Sequence, residues 1–151
     1  MTISFKIRKF SELTTTELYD MLRLRSEVFV VEQNCVYQDI DNKDQIALHV
    51  LGYIDGELVA YSRLFRKHDY FSRASIGRVI VAQKYRDKQY GHALVRFSIE
   101  TVTELFEETT IEISAQKHLE NFYSHHGFIP IGEMYLEDNI PHIRMLLSNN
   151  S

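Results

Sequence analysis

A chain of 151 residues with 44% hydrophobic and 25% charged side chains is long enough for one domain with a sizeable core and too short for two ordinary ones, so residues 1–151 read as a single domain. Only two prolines and six glycines exclude disordered and collagen-like classes, and no apolar run approaches the roughly 20 residues that span a bilayer. The net charge of -4 removes the footprint of a general nucleic-acid binder, and a single cysteine, Cys35, leaves neither a disulfide framework nor a thiol cluster for zinc, so no nucleic acid, membrane or metal is expected as a partner.

Ile3, Phe5 and Ile7 alternate with Ser4, Lys6 and Arg8, the period-two pattern of a half-buried first strand. The same stretch lacks an apolar h-region, and a cytoplasmic location is expected. Thr14-Thr15-Thr16-Glu17 fits a capping box, predicting a helix of roughly fifteen residues that ends near the β-branched run at Val28. Gln33 to Gln45 is polar and irregular, a loop with room for a helical turn. Two apolar stretches between Ala47 and Phe65 flank Asp55-Gly56, predicting a hairpin. Ile76 to Val81 reads as a short, largely buried strand.

After Gly91, residues Val95, Ile99, Val102 and Phe106, with Leu94 and Leu105 beside them, form an apolar stripe down one long helix. Thr110 to Ala115 alternates as a strand, and Leu119, Phe122 and Tyr123 suggest a short helix stopped by Gly127. Phe128 to Leu136 and Pro141 to Leu147 pair across Glu137-Asp138-Asn139. A mixed α/β arrangement, a sheet covered by helices on both faces, accounts for this order.

Val79-Ile80-Val81 followed by Ala82 to Tyr90 and then Gly91-His92-Ala93-Leu94 is a strand, a polar turn and a helix opening at glycine. The first amides of a helix have no intrahelical acceptor and lie at the positive end of its dipole, so such a turn suits a phosphate or pyrophosphate. Arg86, Lys88 and His92 add charge. Neither a Gly-Lys-Ser/Thr phosphate loop nor a Gly-x-Gly-x-x-Gly fingerprint is present.

Arg86-Asp87-Lys88-Gln89-Tyr90-Gly91 resembles the Arg/Gln-x-x-Gly-x-Gly/Ala coenzyme A signature of the GNAT acyltransferase superfamily, with Gln89 standing where the first glycine usually does. Ala115-Gln116-Lys117-His118-Leu119-Glu120-Asn121-Phe122-Tyr123, then Gly127-Phe128, is similar to the superfamily's later coenzyme-side motif. Leu24-Arg25 with Val28 to Cys35, Tyr37-Gln38-Asp39-Ile40-Asp41, and Ile140-Pro141-His142-Ile143 resemble its ElaA-type branch. The resemblance spans almost the whole chain.

It implies the GNAT acyl-CoA N-acyltransferase fold, an α+β (mixed α/β) architecture with a central mixed, mostly antiparallel sheet of about seven strands flanked by helices. It also implies acetyl transfer from acetyl-CoA, as cosubstrate, to an amine of a small molecule or peptide by direct attack in a ternary complex. On the coenzyme side it places the loop Arg86, Asp87, Lys88, Gln89, Tyr90, Gly91, His92 and Ala93. A backbone amide at Val81 or Ile80 would face the thioester oxygen, and Asn121 would either hold the pantetheine or cap its helix. Tyr123 corresponds to the tyrosine that protonates the leaving thiolate; the alternative is an aromatic packed under its helix with a hydrogen-bonded hydroxyl. With a thiol near 8.5 and a phenol near 10, that proton transfer is uphill by roughly 2 kcal/mol before tuning.

An alkylamine is only about 0.1% neutral at pH 7, so a base or an equivalent is required. The strand before the loop carries no glutamate, which leaves Glu32, His49 and His142 as candidates, each with a structural alternative. Arg25, Gln33 and Arg78 join these three as acceptor-side expectations. His125-His126, with His118 nearby, lack a carboxylate or cysteine at a recognised metal-ligand spacing. Tyr70, Phe71 and Tyr135 offer apolar surface for a homodimer contact or the acceptor pocket. A non-catalytic acyl-CoA sensor on the same fold is the alternative to an enzyme, favoured by Gln89 and the missing strand glutamate.

Overall fold

The computed structural model describes residues 2–148; residue 1 and residues 149–151, which the single-domain reading includes, lie outside them. Seven strands form one sheet: β1 (Ser4–Lys9), β2 (Leu48–Ile54), β3 (Glu57–Phe65), β4 (Ala74–Val81), β5 (Thr110–Gln116), β6 (Ile129–Glu137) and β7 (Ile140–Ser148). Their order is β1-β2-β3-β4-β5-β7-β6, and every neighbouring pair is antiparallel except β4 and β5. Three α-helices, α1 (Thr15–Arg25), α2 (Tyr90–Leu105) and α3 (Glu120–Ser124), connect them. No helix among the described residues is long and apolar enough to cross a membrane.

Local chemistry sets the element ends. The Glu17 amide donates to Thr14 Oγ1 at 3.0 Å and the Thr14 amide to Glu17 Oε1 at 2.9 Å, completing the capping box of α1. Asp55 (φ 49°) and Gly56 (φ 80°) both take positive φ in the first hairpin, as do Asp138 (φ 52°) and Asn139 (φ 63°) in the last. The expected end of the first helix near Val28 needs adjustment: α geometry stops at Arg25 and the chain continues as a π-helix over Ser26–Glu32. The run Val28-Phe29-Val30-Val31 crowds an ordinary α turn, and the wider turn aims Phe29 and Glu32 inward.

α1 and α2 lie on opposite faces of β3. Ser62 of β3 hydrogen-bonds Ser98 of α2 at 2.8 Å, while Phe5 of β1 stacks on Phe97 with ring centroids 4.7 Å apart. On the other face the Arg25 guanidinium of α1 sits 5.7 Å from the centre of the Tyr61 ring. Leu94, Val95 and Val102 of α2 are buried in the core, whereas Leu105, at the edge of the predicted stripe, is 53% exposed.

β4 and β5 pair only at Ala74–Ile111 and Ser75–Glu112 and then part. A bulge on β4, where Arg78 takes φ 50°, accompanies a register shift against β3 between Tyr61 and Arg63. Val79 and Val81, expected in a largely buried strand, are therefore half-buried, because the far edge of β4 opens on a cleft rather than on a neighbouring strand.

Candidate active site

The cleft between β4 and β5 holds two chambers of about 460 and 470 Å³ that share Phe29, Gln33, Val79, Gln116, Leu119 and Tyr123. One reaches toward the start of α2 and the other toward the hairpin of β6 and β7.

In the first chamber the turn before α2 carries two non-glycine residues in the left-handed region, Asp87 (φ 63°) and Gln89 (φ 69°). Gln89 thus adopts the conformation that a glycine supplies without strain, at a cost of roughly 1 kcal/mol. No side chain caps α2, so first-turn amides such as those of Gly91 and His92 have no intrahelical acceptor. Alternating left-handed residues and free amides form a concave donor surface suited to an anion.

Backbone alternation distinguishes Ile80 from Val81. The Ala82 amide donates to Val59 O at 2.7 Å, toward β3, so the backbone groups of Val81 project to the open edge of β4. There the Val81 carbonyl accepts Arg86 Nε at 2.9 Å. The Arg86 guanidinium also forms a bidentate pair with Glu32, with Nη2 at 3.0 Å from Oε1, across the chamber. His92 Nδ1 lies 2.8 Å from His126 Nε2, a contact in which one ring nitrogen donates and the other accepts. Burial, followed by the neighbouring His92, His125 and Arg96, pushes His126 down to about 4.

Tyr123 stands where the chambers meet. The turn behind it is closed by the Phe128 amide donating to Tyr123 O at 3.3 Å, with Gly127 at φ 94°. Its phenol makes no hydrogen bond among the described residues, so the packed-aromatic alternative lacks the bond that would have anchored it. Burial pushes the phenol above its ordinary value of 10.0, which keeps it protonated.

A buried lattice of charge backs the second chamber and reaches it through Asp41 and Arg78. Arg25 Nε donates to Asp39 at 3.0 Å and its Nη1 to Asp44 at 2.7 Å. Arg63 Nη1 donates to the same Asp44 oxygen at 2.9 Å and its other nitrogen to Asp41, while Arg78 Nε donates to Asp39 at 2.8 Å. Burial alone would raise Asp41, but hydrogen bonding and charge from Arg63 outweigh it and hold the carboxyl down at about 2. These pairs pin the polar loop after the π-helix against the sheet.

The cleft brings together Ile80, Val81, Arg86, Asp87, Gln89, Gly91 and His92 from the coenzyme-side expectations, with Glu32 and Gln33 on the facing wall. Lys88, Tyr90 and Ala93 belong to the same loop and first turn without lining the chamber, and Asn121 is exposed on α3. On the acceptor side, Gln33, Arg78 and His142 line the second chamber. Two expectations are corrected. Arg25 has no exposed surface and is spent on Asp39 and Asp44. His49 is equally buried, with Nδ1 at 2.5 Å from the Tyr61 hydroxyl and Nε2 at 2.9 Å from Asp44 O, and burial pushes its imidazole down.

Sequence reasoning missed Phe29, Tyr37, Gln116 and Glu137 as cleft walls. The nearest signal was the acidic spacing Asp39, Asp41, Asp44 set against single arginines in otherwise apolar segments. Among the described residues no group of three or more histidine, cysteine, aspartate or glutamate side chains is arranged to hold a metal ion.

Residues 12–148 match the family model for the acetyltransferase (GNAT) domain. Protein ElaA of Escherichia coli is 47% identical over 137 residues, covering 89% of this chain and 90% of that protein, and its crystal structure superposes with a TM-score of 0.89. An acyl-CoA N-acyltransferase from Pseudomonas aeruginosa is 38% identical with a TM-score of 0.92, covering 97% of this chain and 100% of that one. A GNAT acetyltransferase from Elizabethkingia anophelis with acetyl-CoA bound, at 13% identity and a TM-score of 0.66, shares the fold over 97% of each chain. With the parted β4 and β5, the left-handed turn before α2 and these relatives taken together, the chain belongs to the GNAT acetyltransferase family.

Proposed function

We propose that this protein, as one domain in the cytoplasm, transfers an acetyl group from acetyl-CoA to a primary amine of a small molecule or peptide by direct attack in a ternary complex. The observation that carries this reading is the meeting of the two chambers at Tyr123. A donor entering from the α2 side and an acceptor entering from the β6–β7 side would meet at the junction that Tyr123 lines with Phe29, Gln33, Val79, Gln116 and Leu119.

The donor's diphosphate would take the amides of the Asp87–His92 turn, and a protein of the same fold from Elizabethkingia anophelis has acetyl-CoA bound. The Val81 amide, on the open edge of β4, would face the thioester oxygen as it becomes an oxyanion. Tyr123 would give its phenolic proton to the departing thiolate. Its raised phenol makes that transfer steeper than the roughly 2 kcal/mol of unperturbed groups.

The second reading, an acyl-CoA sensor without turnover, is favoured by β4, which carries no carboxylate from Ala74 to Val81. Coenzyme A release from acetyl-CoA with polyamines, amino acids, aminoglycosides and peptides separates the two. The expected result is turnover on at least one amine, with Tyr123→Phe lowering kcat by about 10- to 1,000-fold while calorimetry finds coenzyme affinity unchanged. Binding without turnover on every amine supports the sensor; no binding of acetyl-CoA or free coenzyme A at millimolar ligand sinks both.

A further inference from the structure

We propose that His142 of β7 is the general base that takes the proton from the acceptor ammonium, with the Glu137 carboxylate as its positioning partner. This rests on the acetyl-transfer reading and supplies the residue that β4 lacks.

Geometry removes the other candidates. Glu32 has both carboxylate oxygens on Arg86 and lines only the donor chamber. His49 uses both ring nitrogens in the core and lines neither chamber. Asp41 does line the acceptor chamber, but Arg63 holds both of its oxygens. Arg78, which also lines that chamber, is committed to Asp39 and Asp41.

His142 is set up differently. In register it lies between Gln116 of β5 and Tyr135 of β6, and its ring stacks on Tyr135 with centroids 6.1 Å apart. Nδ1 lies 2.7 Å from Ile140 O, an atom that can only accept, so Nδ1 carries the hydrogen and Nε2 of the neutral ring is the bare lone pair. That Nε2 is 3.4 Å from Glu137 Oε2, so a proton arriving there lands beside a carboxylate. Glu137 is in turn held at 3.3 Å by Ser114 Oγ. Glu137, Asp138, Asp41, Arg78, Cys35, Tyr37, Tyr70 and Tyr123 are the titratable and charged groups that line the same chamber, with Tyr135 stacked on the ring. Histidine is the side chain whose charge ordinarily changes between pH 5 and 8, which suits a base working at neutral pH.

His142 Nε2 takes one proton from the acceptor ammonium, leaving a neutral amine. Its lone pair forms the C–N bond at the thioester carbon, and the C–S bond breaks as the oxyanion collapses. The thiolate takes the phenolic proton of Tyr123, the phenolate recovers a proton from the new amide nitrogen, and His142 releases its proton to solvent.

The test compares butylamine, protonated at neutral pH, with methoxyamine, whose nitrogen is already neutral there. His142→Gln should lower kcat/KM for butylamine at pH 7 by about 100-fold or more, and for methoxyamine by less than about threefold. The deficit on butylamine should shrink as pH is raised and the amine deprotonates itself. Methoxyamine turnover by the same preparation reports that the variant is folded. Glu137→Gln should lower kcat/KM for butylamine by about 10-fold while leaving methoxyamine within about threefold. Equal losses on both amines, or a Glu137→Gln variant dead on butylamine beside an active His142→Gln, overturn the assignment and leave acetyl transfer standing. Wild-type protein that binds acetyl-CoA but acetylates neither probe nor any amine of the panel overturns both.

Discussion

Arg86 and Glu32 bridge the donor chamber, one from the turn before α2 and the other from the π-helix, through two parallel guanidinium–carboxylate contacts. Both side chains are about one-third exposed, so the pair is worth no more than about 1 kcal/mol. An incoming diphosphate competes with Glu32 for the same cation. Glu32→Gln should therefore tighten coenzyme A binding by up to about fivefold in calorimetry and steepen its salt dependence. It should leave kcat within about twofold, whereas loss of a general base costs about 100-fold or more. A hundredfold fall in kcat at unchanged affinity would return Glu32 to the role of base.

Gln89 holds φ 69° without a side-chain cap bond to compensate. Glycine adopts that conformation freely, although it adds entropy to the unfolded chain. Gln89→Gly should raise stability by about 0.5–1 kcal/mol, a rise in Tm of about 1–4 °C, with coenzyme affinity equal or higher. A lower Tm with weaker binding would mean that the glutamine side chain itself contributes to the turn.

Features decided within a few residues were legible in the sequence: the Thr14–Glu17 capping box, the Asp55-Gly56 turn and the stop at Gly127 each depend on neighbouring groups. The parting of β4 from β5 was not, because it depends on the register of a strand some 35 residues away. The charge lattice was equally hidden, since Arg78 meets Asp39 across 39 residues of sequence. Arg25 and His49 misled for the same reason: a polar side chain in an apolar element looks identical whether it faces a ligand or a buried partner. The motif turn before α2 could be placed because its backbone conformation, not a distant contact, defines it.

Asp44 is the shared acceptor of that lattice, receiving Arg25 Nη1 at 2.7 Å and Arg63 Nη1 at 2.9 Å on one oxygen, with both arginines buried. Asp44→Asn leaves two guanidiniums short of a counter-charge in a dry site. The expected loss is about 3–5 kcal/mol by urea unfolding, with the loop carrying Tyr37 and Asp41 loosened at the acceptor chamber. A loss under about 1 kcal/mol would show that the lattice relaxes onto water or neighbouring carboxylates.

Stability should be greatest between the ordinary histidine value of 6.5 and the ordinary phenol value of 10.0, and it should fall on both sides. On the acid side the buried His49 and the half-buried His126, both shifted down, favour the neutral ring in the folded state, so the unfolded chain takes up protons first. Their contribution is lost as pH falls from 6.5 toward about 4 for His126. The depressed Asp41 contributes above its ordinary 3.8, and that contribution disappears as pH falls through about 2. On the alkaline side burial raises Tyr61 and Tyr123, so the unfolded chain ionises first above 10.0 and stability drops as pH rises toward their folded values. Urea midpoints measured from pH 4 to 11 should trace this plateau with two falling flanks. A midpoint that stays flat from pH 7 to 4.5 would mean that His49 and His126 gain protons on folding as readily as in the unfolded chain.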